Sequence, residues 1–127
     1  MRKIKFRGLG RDDYKFYYGS VAFNYNGFPI LLIPRINGTV DRIFVHPETV
    51  GQYTEIKDRD GTEIFEGDIL SVINGSINSK PWPQKNITVK IEKGGTNLPN
   101  WIRNEIWDST HFVKVIGNIH ENPELLK

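Results

Sequence analysis

The chain has 127 residues, a net charge of +2 and no cysteine, which excludes disulfides and thiolate-bound zinc. Aromatic residues make up 12% of the sequence, and a chain of this length can bury well over half of its surface. We therefore expect a folded protein rather than a disordered one, organised as one unit with two sub-cores.

The small net charge conceals three blocks of alternating sign. Residues 1–18 carry six basic and two acidic residues, residues 41–70 carry three basic and eight acidic, and residues 76–103 carry five basic and one acidic. Blocks of opposite charge suit contacts between unlike surfaces, within the fold or between subunits. The alternative interpretation is that each block is a solvated strand face.

Alternation of apolar and polar residues predicts a series of short strands. In chain order they cover residues 3–7, 16–24, 28–33, 40–45, 52–56, 68–73, 87–91 and 111–116. The run 28–33 is apolar throughout, which is typical of a strand buried on both faces. Asn-Gly or Asp-Gly pairs at 26–27, 37–38, 60–61 and 74–75 predict type I′ hairpin turns, because these residues tolerate positive φ.

Helical signals are few. Residues 122–127 predict one helical turn, with Asn122 as N-cap and Pro123 in the first position. Residues 99–107 fit either a helix with one apolar face or a strand, and residues 46–52 fit a turn or a short helix. The predicted fold class is mainly β: an N-terminal antiparallel sheet over residues 1–66, a C-terminal SH3-like barrel over residues 67–127, and one short C-terminal helix.

Three blocks of the sequence resemble the YopX family of small phage and prophage proteins. They are IKFR at residues 4–7, the segment VHPETVGQYTEIKDRDGTEIFEGDI at residues 45–69, and VIGNIHENPELL at residues 115–126. Residues 74–110 match the family poorly. The resemblance implies a phage or prophage origin and a β-rich fold that assembles into oligomers, and it implies no catalytic residue.

The acidic segment contains the only candidates for metal or acid–base chemistry. Glu63, Glu66 and Asp68 could form a carboxylate pair for metal or acid–base chemistry, because residues 66 and 68 of an alternating strand share a face. The competing interpretation is structural: Asp60 and Gly61 form a hairpin turn, Gly67 permits a bend, and Asp68 accepts hydrogen bonds from backbone N–H groups. The three histidines lack metal-ligand spacing, and there is neither a nucleophile elbow nor a phosphate loop. We expect no cofactor, no metal and no enzymatic activity.

Basic residues interleaved with aromatics indicate a second possible function, nucleic-acid binding. Arg7 lies in an aromatic-rich basic stretch, and Lys80, Trp82 and Lys85 lie together in a loop whose flanking prolines expose the tryptophan. These four residues are the candidate binding residues. The alternative is that the aromatics are core residues and the lysines only keep the surface hydrated.

Taken together, the sequence predicts a non-enzymatic interaction or assembly module that forms a homo-oligomer and contacts a protein partner. Nucleic-acid binding by a small β-barrel is the alternative, and a metal-dependent hydrolase comes third. The basic N-terminal residues lack an apolar secretion segment, and no run reaches the ~20 apolar residues of a membrane helix. We therefore expect a cytoplasmic protein of the host cell with no membrane contact.

Overall fold

The chain divides into two units, Met1–Tyr53 and Thr54–Lys127. The structure, a computed structural model, describes residues 5–74, 85–92, 95–108 and 111–126. Antiparallel strands dominate both units, which confirms the mainly β class. The boundary expected after Glu66 lies within the second unit.

The first unit is an antiparallel sheet of five strands. The strands are β1 (Phe6–Leu9), β2 (Phe16–Phe23), β3 (Pro29–Pro34), β4 (Val40–Phe44) and β5 (Gly51–Lys57). They lie side by side in the order β4-β3-β2-β1-β5. Strand β5 continues into the second unit, and a short 3-10 helix, Pro47–Thr49, precedes it.

The sheet of the first unit curls so that one face becomes interior. The end of β4 returns to the end of β1, where Arg11 N–H donates to Phe44 C=O at 2.8 Å and Gly10 bridges to Val45. Leu31 on β3 and Val45 are buried on the inner face. A Cβ at Gly8 would lie 3.1 Å from the Val45 side chain, so glycine lets the two strand ends approach.

Strand β3 is buried on one face only, which corrects the expectation of burial on both. Leu31 pairs with Ile43 on the inner face, whereas Ile30 and Leu32 point to the outer face and are only half-buried. The apolar run misled the prediction because residues on the outer face of a sheet can be apolar without being covered.

The second unit contains short strands arranged in separate small sheets. The elements are β6 (Glu63–Phe65), β7 (Asp68–Asn74), β8 (Lys85–Thr88), β9 (Ile91–Glu92), β10 (Gly95–Thr96), helix α1 (Asn100–Arg103), β11 (His111–Asn118) and a 3-10 helix (Pro123–Leu126). Strand β7 is central in the order β11-β7-β8, β9 pairs with β10, and β6 lies beside β5. No closed barrel forms among the described strands, so the SH3-like barrel is not confirmed.

The core of the second unit collects apolar side chains from strands, loops and helix α1. The single strand predicted over residues 87–91 is interrupted, because the backbone of Val89 bonds to Gly67 and Asp68 instead of continuing the ladder. The buried core residues are Ile56, Ile64, Leu70, Val89, Leu98, Ile102 and Val113.

Three hairpins share one loop geometry. The loops are Asn24–Phe28, Arg35–Thr39 and Asp58–Thr62. In each, the first residue's N–H donates to the fifth residue's carbonyl, and the glycine N–H donates to the first residue's carbonyl. The glycine φ values are +84°, +88° and +87° in chain order.

These loops correct the predicted turn type. A type I′ turn needs positive φ at both central residues, but Asn26, Asn37 and Asp60 do not have it. The loops are three-residue connections that end in a left-handed glycine. Of the fourth predicted pair, Asn74-Gly75, the glycine lies outside the described residues.

Asp58 ties one of these loops to the last strand. It is 4% exposed, and its Oδ1 accepts the N–H groups of Asp60 and Thr62 at 2.9 Å each. Its Oδ2 accepts the N–H of Val115 on β11 at 3.0 Å. One buried carboxylate therefore satisfies two backbone donors in its own loop and one that is 57 residues away in sequence.

The C-terminal motif forms a tight structural corner. Asn118 Oδ1 accepts the N–H groups of His120 and Glu121 at 3.0 and 2.9 Å. A Cβ at Gly117 would lie 2.6 Å from the Asn122 side-chain oxygen, so no larger residue fits without a shift. The helical turn predicted after Asn122 is the 3-10 helix Pro123–Leu126.

Gly61→Val is expected to lower the free energy of unfolding by about 1–2 kcal/mol, because a left-handed φ strains any residue with a Cβ. Apart from residue 61 and its two chain neighbours, no described heavy atom lies within 4 Å of the added Cβ, so the loss comes from the backbone and not from a clash. Urea unfolding measures it. Gly61→Asn is the matched control and should lose less, since Asn tolerates this region. Equal midpoints for the wild type and the valine variant would contradict the assignment.

Asp58→Ala is expected to cost about 3 kcal/mol, because it leaves three partly buried backbone N–H groups without their acceptor. Asp60→Ala is the matched control: its carboxylate is exposed and lies 3.4 Å from Lys114 Nζ, so its loss should cost under about 1 kcal/mol. Thermal melting of both variants tests the difference. Similar losses would show that Asp58 does not anchor β11.

Candidate interaction site

The residues predicted to form turns lie in the loops around β6. Asp60 is exposed, Gly61 has a φ of +87°, and Gly67 has a φ of +91°. Asp68 is 1% exposed, and its Oδ2 accepts the Phe65 N–H at 2.7 Å. Its carboxylate is thus a buried acceptor for the backbone. Within the described ranges, no group of three His, Asp or Glu side chains is arranged to hold a metal ion.

The four residues predicted to bind nucleic acid are not brought together in the described part of the chain. Arg7 is 6% exposed, and its guanidinium carbon lies 4.5 Å from the centre of the Phe16 ring. A surface contact would require this side chain to move outwards. Lys80 and Trp82 lie outside the described residues, as does the side chain of Lys85, whose backbone begins β8.

A different set of arginines and aromatic rings lies on the outer face of the first unit. Phe44 and Tyr18 are 39% and 46% exposed, and Arg11 places its guanidinium carbon 4.8 Å from the centre of the Phe44 ring. Arg42 is exposed two residues before Phe44 on β4, opposite Leu32. We call these five residues the arginine–aromatic surface.

A small cavity opens beside this surface. Its volume is about 160 Å³, which suits one side chain or a small charged group rather than a drug-sized ligand. Two of its lining residues are arginines and two are aspartates. The lining residues are Gly10, Arg11, Asp12, Asp13, Tyr17, Arg42, Ile43 and Phe44.

One pair of titratable groups in the cavity has shifted pKa values. The Tyr17 hydroxyl donates a hydrogen bond to the Asp13 carboxylate, and this bond lowers the pKa of Asp13 and raises the pKa of Tyr17 from their usual values. Near pH 7, Asp13 is an anion and Tyr17 is protonated. Because a general acid or base works best with a pKa near the working pH, this pair is suited to holding charges and not to moving protons.

Arg11, Arg42 and Phe44 are not among the site residues predicted from the sequence. The spacing does show that Arg42 and Phe44 belong together, because residues two apart on a strand such as β4 have side chains on the same face. Nothing in the spacing indicated that this face is the outer one. That information comes from the return of β4 to β1, which places Val45 on the inner face.

None of the helices in the described ranges has the length and apolar character required to cross a lipid bilayer.

Comparison with known proteins supports the fold and places the chain in a family. The structure resembles the crystal structure of protein EF1440 from Enterococcus faecalis, with a TM-score of 0.63 and 23% sequence identity over 100% of both chains. This likeness shows the fold. No curated protein matches the sequence. The family model described as "YopX protein" matches residues 5–127. The chain belongs to the YopX family.

Proposed function

We propose that this YopX-family protein is a non-enzymatic interaction module that assembles with copies of itself and contacts a further protein. The arginine–aromatic surface carries the proposal. Tyr, Phe and Arg are enriched in the centres of protein–protein interfaces, because they combine a large apolar contact area with a polar or charged group. Tyr18, Phe44 and Arg42 present these groups to solvent on one face.

The positions of the acidic residues support a non-enzymatic role. Asp58 and Asp68 are buried, and their carboxylates accept hydrogen bonds from the backbone. Asp13 and Tyr17 have pKa values moved away from neutrality by their mutual hydrogen bond. These four groups serve structure and charge placement, which is the use expected in an interaction module.

The charges of the two units support self-association. Residues 1–53 contain eight basic and four acidic residues, for a net charge of +4. Residues 54–127 contain nine basic and eleven acidic residues, for a net charge of −2. The positively charged first unit of one copy therefore attracts the negatively charged second unit of another, which favours association between copies.

The family resemblance supports a phage or prophage origin, and the cysteine-free sequence suits the reducing cytoplasm of a host cell. The genes that flank the coding sequence test this origin. Structural or regulatory phage genes on either side are the expected result, and a neighbourhood of metabolic genes in an otherwise phage-free region would contradict it.

Self-association is tested by sedimentation of the wild type at tens of micromolar in low and high salt. We expect an oligomer at low salt that loosens at high salt, because exposed charges are screened beyond a Debye length of ~10 Å at 0.1 M. Phe44→Ala should weaken association about tenfold, as a residue at an interface centre would. Ile36→Ala is the control, since this fully exposed residue lies in a hairpin loop outside the surface. A monomer in both buffers would reject self-association.

A second candidate function is the binding of single-stranded nucleic acid by the same surface. The contact of Arg11 with the exposed Phe44 favours it, because stacked bases use aromatic and guanidinium planes. Fluorescence anisotropy with a labelled oligothymidylate tests it. Binding should weaken steeply with salt, and Arg42→Ala should reduce the salt slope by about one. Binding that is absent at low salt would remove this candidate.

A further inference from the structure

One edge of the first unit offers backbone hydrogen-bonding groups to a further strand. Strand β4 is the end strand of the sheet order, and among the described residues no strand pairs with its outer edge between Val40 and Arg42. Since Phe44 C=O accepts a hydrogen bond from Arg11, the backbone N–H and C=O groups of Phe44 point away from β3. Backbone groups alternate in direction along a strand, so Val40 and Arg42 direct theirs outwards as well.

The rest of this edge is already covered. Arg11 N–H donates to Phe44 C=O at 2.8 Å, and His46 N–H donates to Leu9 C=O at 2.9 Å. The bridge between Gly10 and Val45 lies between these two bonds. The available edge is therefore short and defined, and it presents the N–H and C=O groups of Val40 and Arg42.

The side chains beside this open edge are apolar or cationic. Val40 and Arg42 are exposed on the outer face, and each would lie directly opposite one residue of an added strand. The nearby Asp41 carboxylate is paired with Arg35, so it adds little repulsion towards an approaching anion. The charge of the edge thus favours an acidic strand.

We propose that the open edge of β4 binds an extended acidic segment of a partner protein as an additional antiparallel strand. Every strand pair described in the first unit is antiparallel, which favours this direction. The partner places an acidic residue opposite Arg42 and, two residues away, an apolar residue opposite Val40. The inference rests on the proposed interaction function, and it names the chemistry and the mode of binding of the partner.

A second copy of the chain fits this edge less well. Antiparallel pairing of two β4 strands about a two-fold axis at Arg42 places Arg42 of one copy opposite Arg42 of the other, and like charges directly opposite each other destabilise a sheet. This register also places Val40 opposite Phe44, whose carbonyl already accepts a bond from Arg11. A two-fold axis at Asp41 instead pairs Arg42 with Val40, which offers the arginine no anion. An acidic strand from a different chain therefore suits the edge better than either register.

The charge preference is tested with a short fluorescein-labelled peptide of alternating threonine and valine that carries one central glutamate, added to the full-length protein. Anisotropy should show binding, and a peptide with lysine in place of the glutamate should bind about tenfold more weakly, because its charge would face Arg42. Arg42→Glu should reverse the preference. Equal affinity for the two peptides, or an unreversed preference in the variant, would overturn the proposal.

The backbone contribution is tested by Val40→Pro. Proline removes the outward N–H of residue 40 but leaves the ladder between β3 and β4 intact, since that ladder does not use this group. Binding of the glutamate peptide should weaken about tenfold, while Val40→Thr keeps the N–H and should bind like the wild type. Thermal melting checks that both variants fold.

Two results would reject edge binding: full affinity in a folded Val40→Pro variant, or binding of oligothymidylate with no binding of either peptide. The oligomeric state is measured separately by sedimentation. If the protein is a monomer and binds the peptide, self-association is rejected and strand binding at the β4 edge is supported. If it is an oligomer and does not bind the peptide, self-association is supported and strand binding at the edge is rejected.

Discussion

The geometry of the second unit depends on one buried carboxylate. Asp58 accepts three backbone N–H groups, two in its own loop and one on β11, and Arg59 adds a bond from its N–H to Val113 C=O at 3.3 Å. A buried anion is costly unless its hydrogen bonds are satisfied, and here the donors are backbone groups whose positions define the fold. If the loop changed its conformation, β11 would lose its hydrogen bond to Asp58, and the buried carboxylate would lose its N–H donors.

The same logic explains why the acidic segment looked like a possible metal site. Aspartates that accept backbone hydrogen bonds and aspartates that bind metals share a preference for turns and strand ends. Asp68 and Asp58 are buried and accept hydrogen bonds from backbone N–H groups, which identifies them as structural aspartates. Neither the burial nor the hydrogen bonds can be deduced from residue spacing. The arginines show a parallel ambiguity. Arg7 and Arg11 each lie over an aromatic ring, but Arg7 is interior and Arg11 is at the surface.

Local patterns in the sequence predicted the strands well, but contacts between residues distant in sequence were not predicted. The hairpin loops were placed correctly because the required glycine is a local feature, as Gly27, Gly38 and Gly61 show. The turn type was wrong because Asn-Gly suits two loop geometries and the choice depends on the flanking strands. The covered face of β3 and the exposure of Phe44 both depend on the return of β4 to β1, which joins residues distant in sequence.

The position of β7 has a consequence for the evolution of chain length. Strands β7 and β11 are neighbours in the sheet, with Asn74 opposite His111, so the chain between them leaves and returns at one end of the pair. The entropy of closing such an excursion grows only with the logarithm of its length, about 0.6 kcal/mol for each doubling. Insertions or deletions in this stretch, at points away from β8 and the core residues Leu98 and Ile102, are therefore inexpensive. This gives a physical reason for the expectation that residues 74–110 match the family poorly.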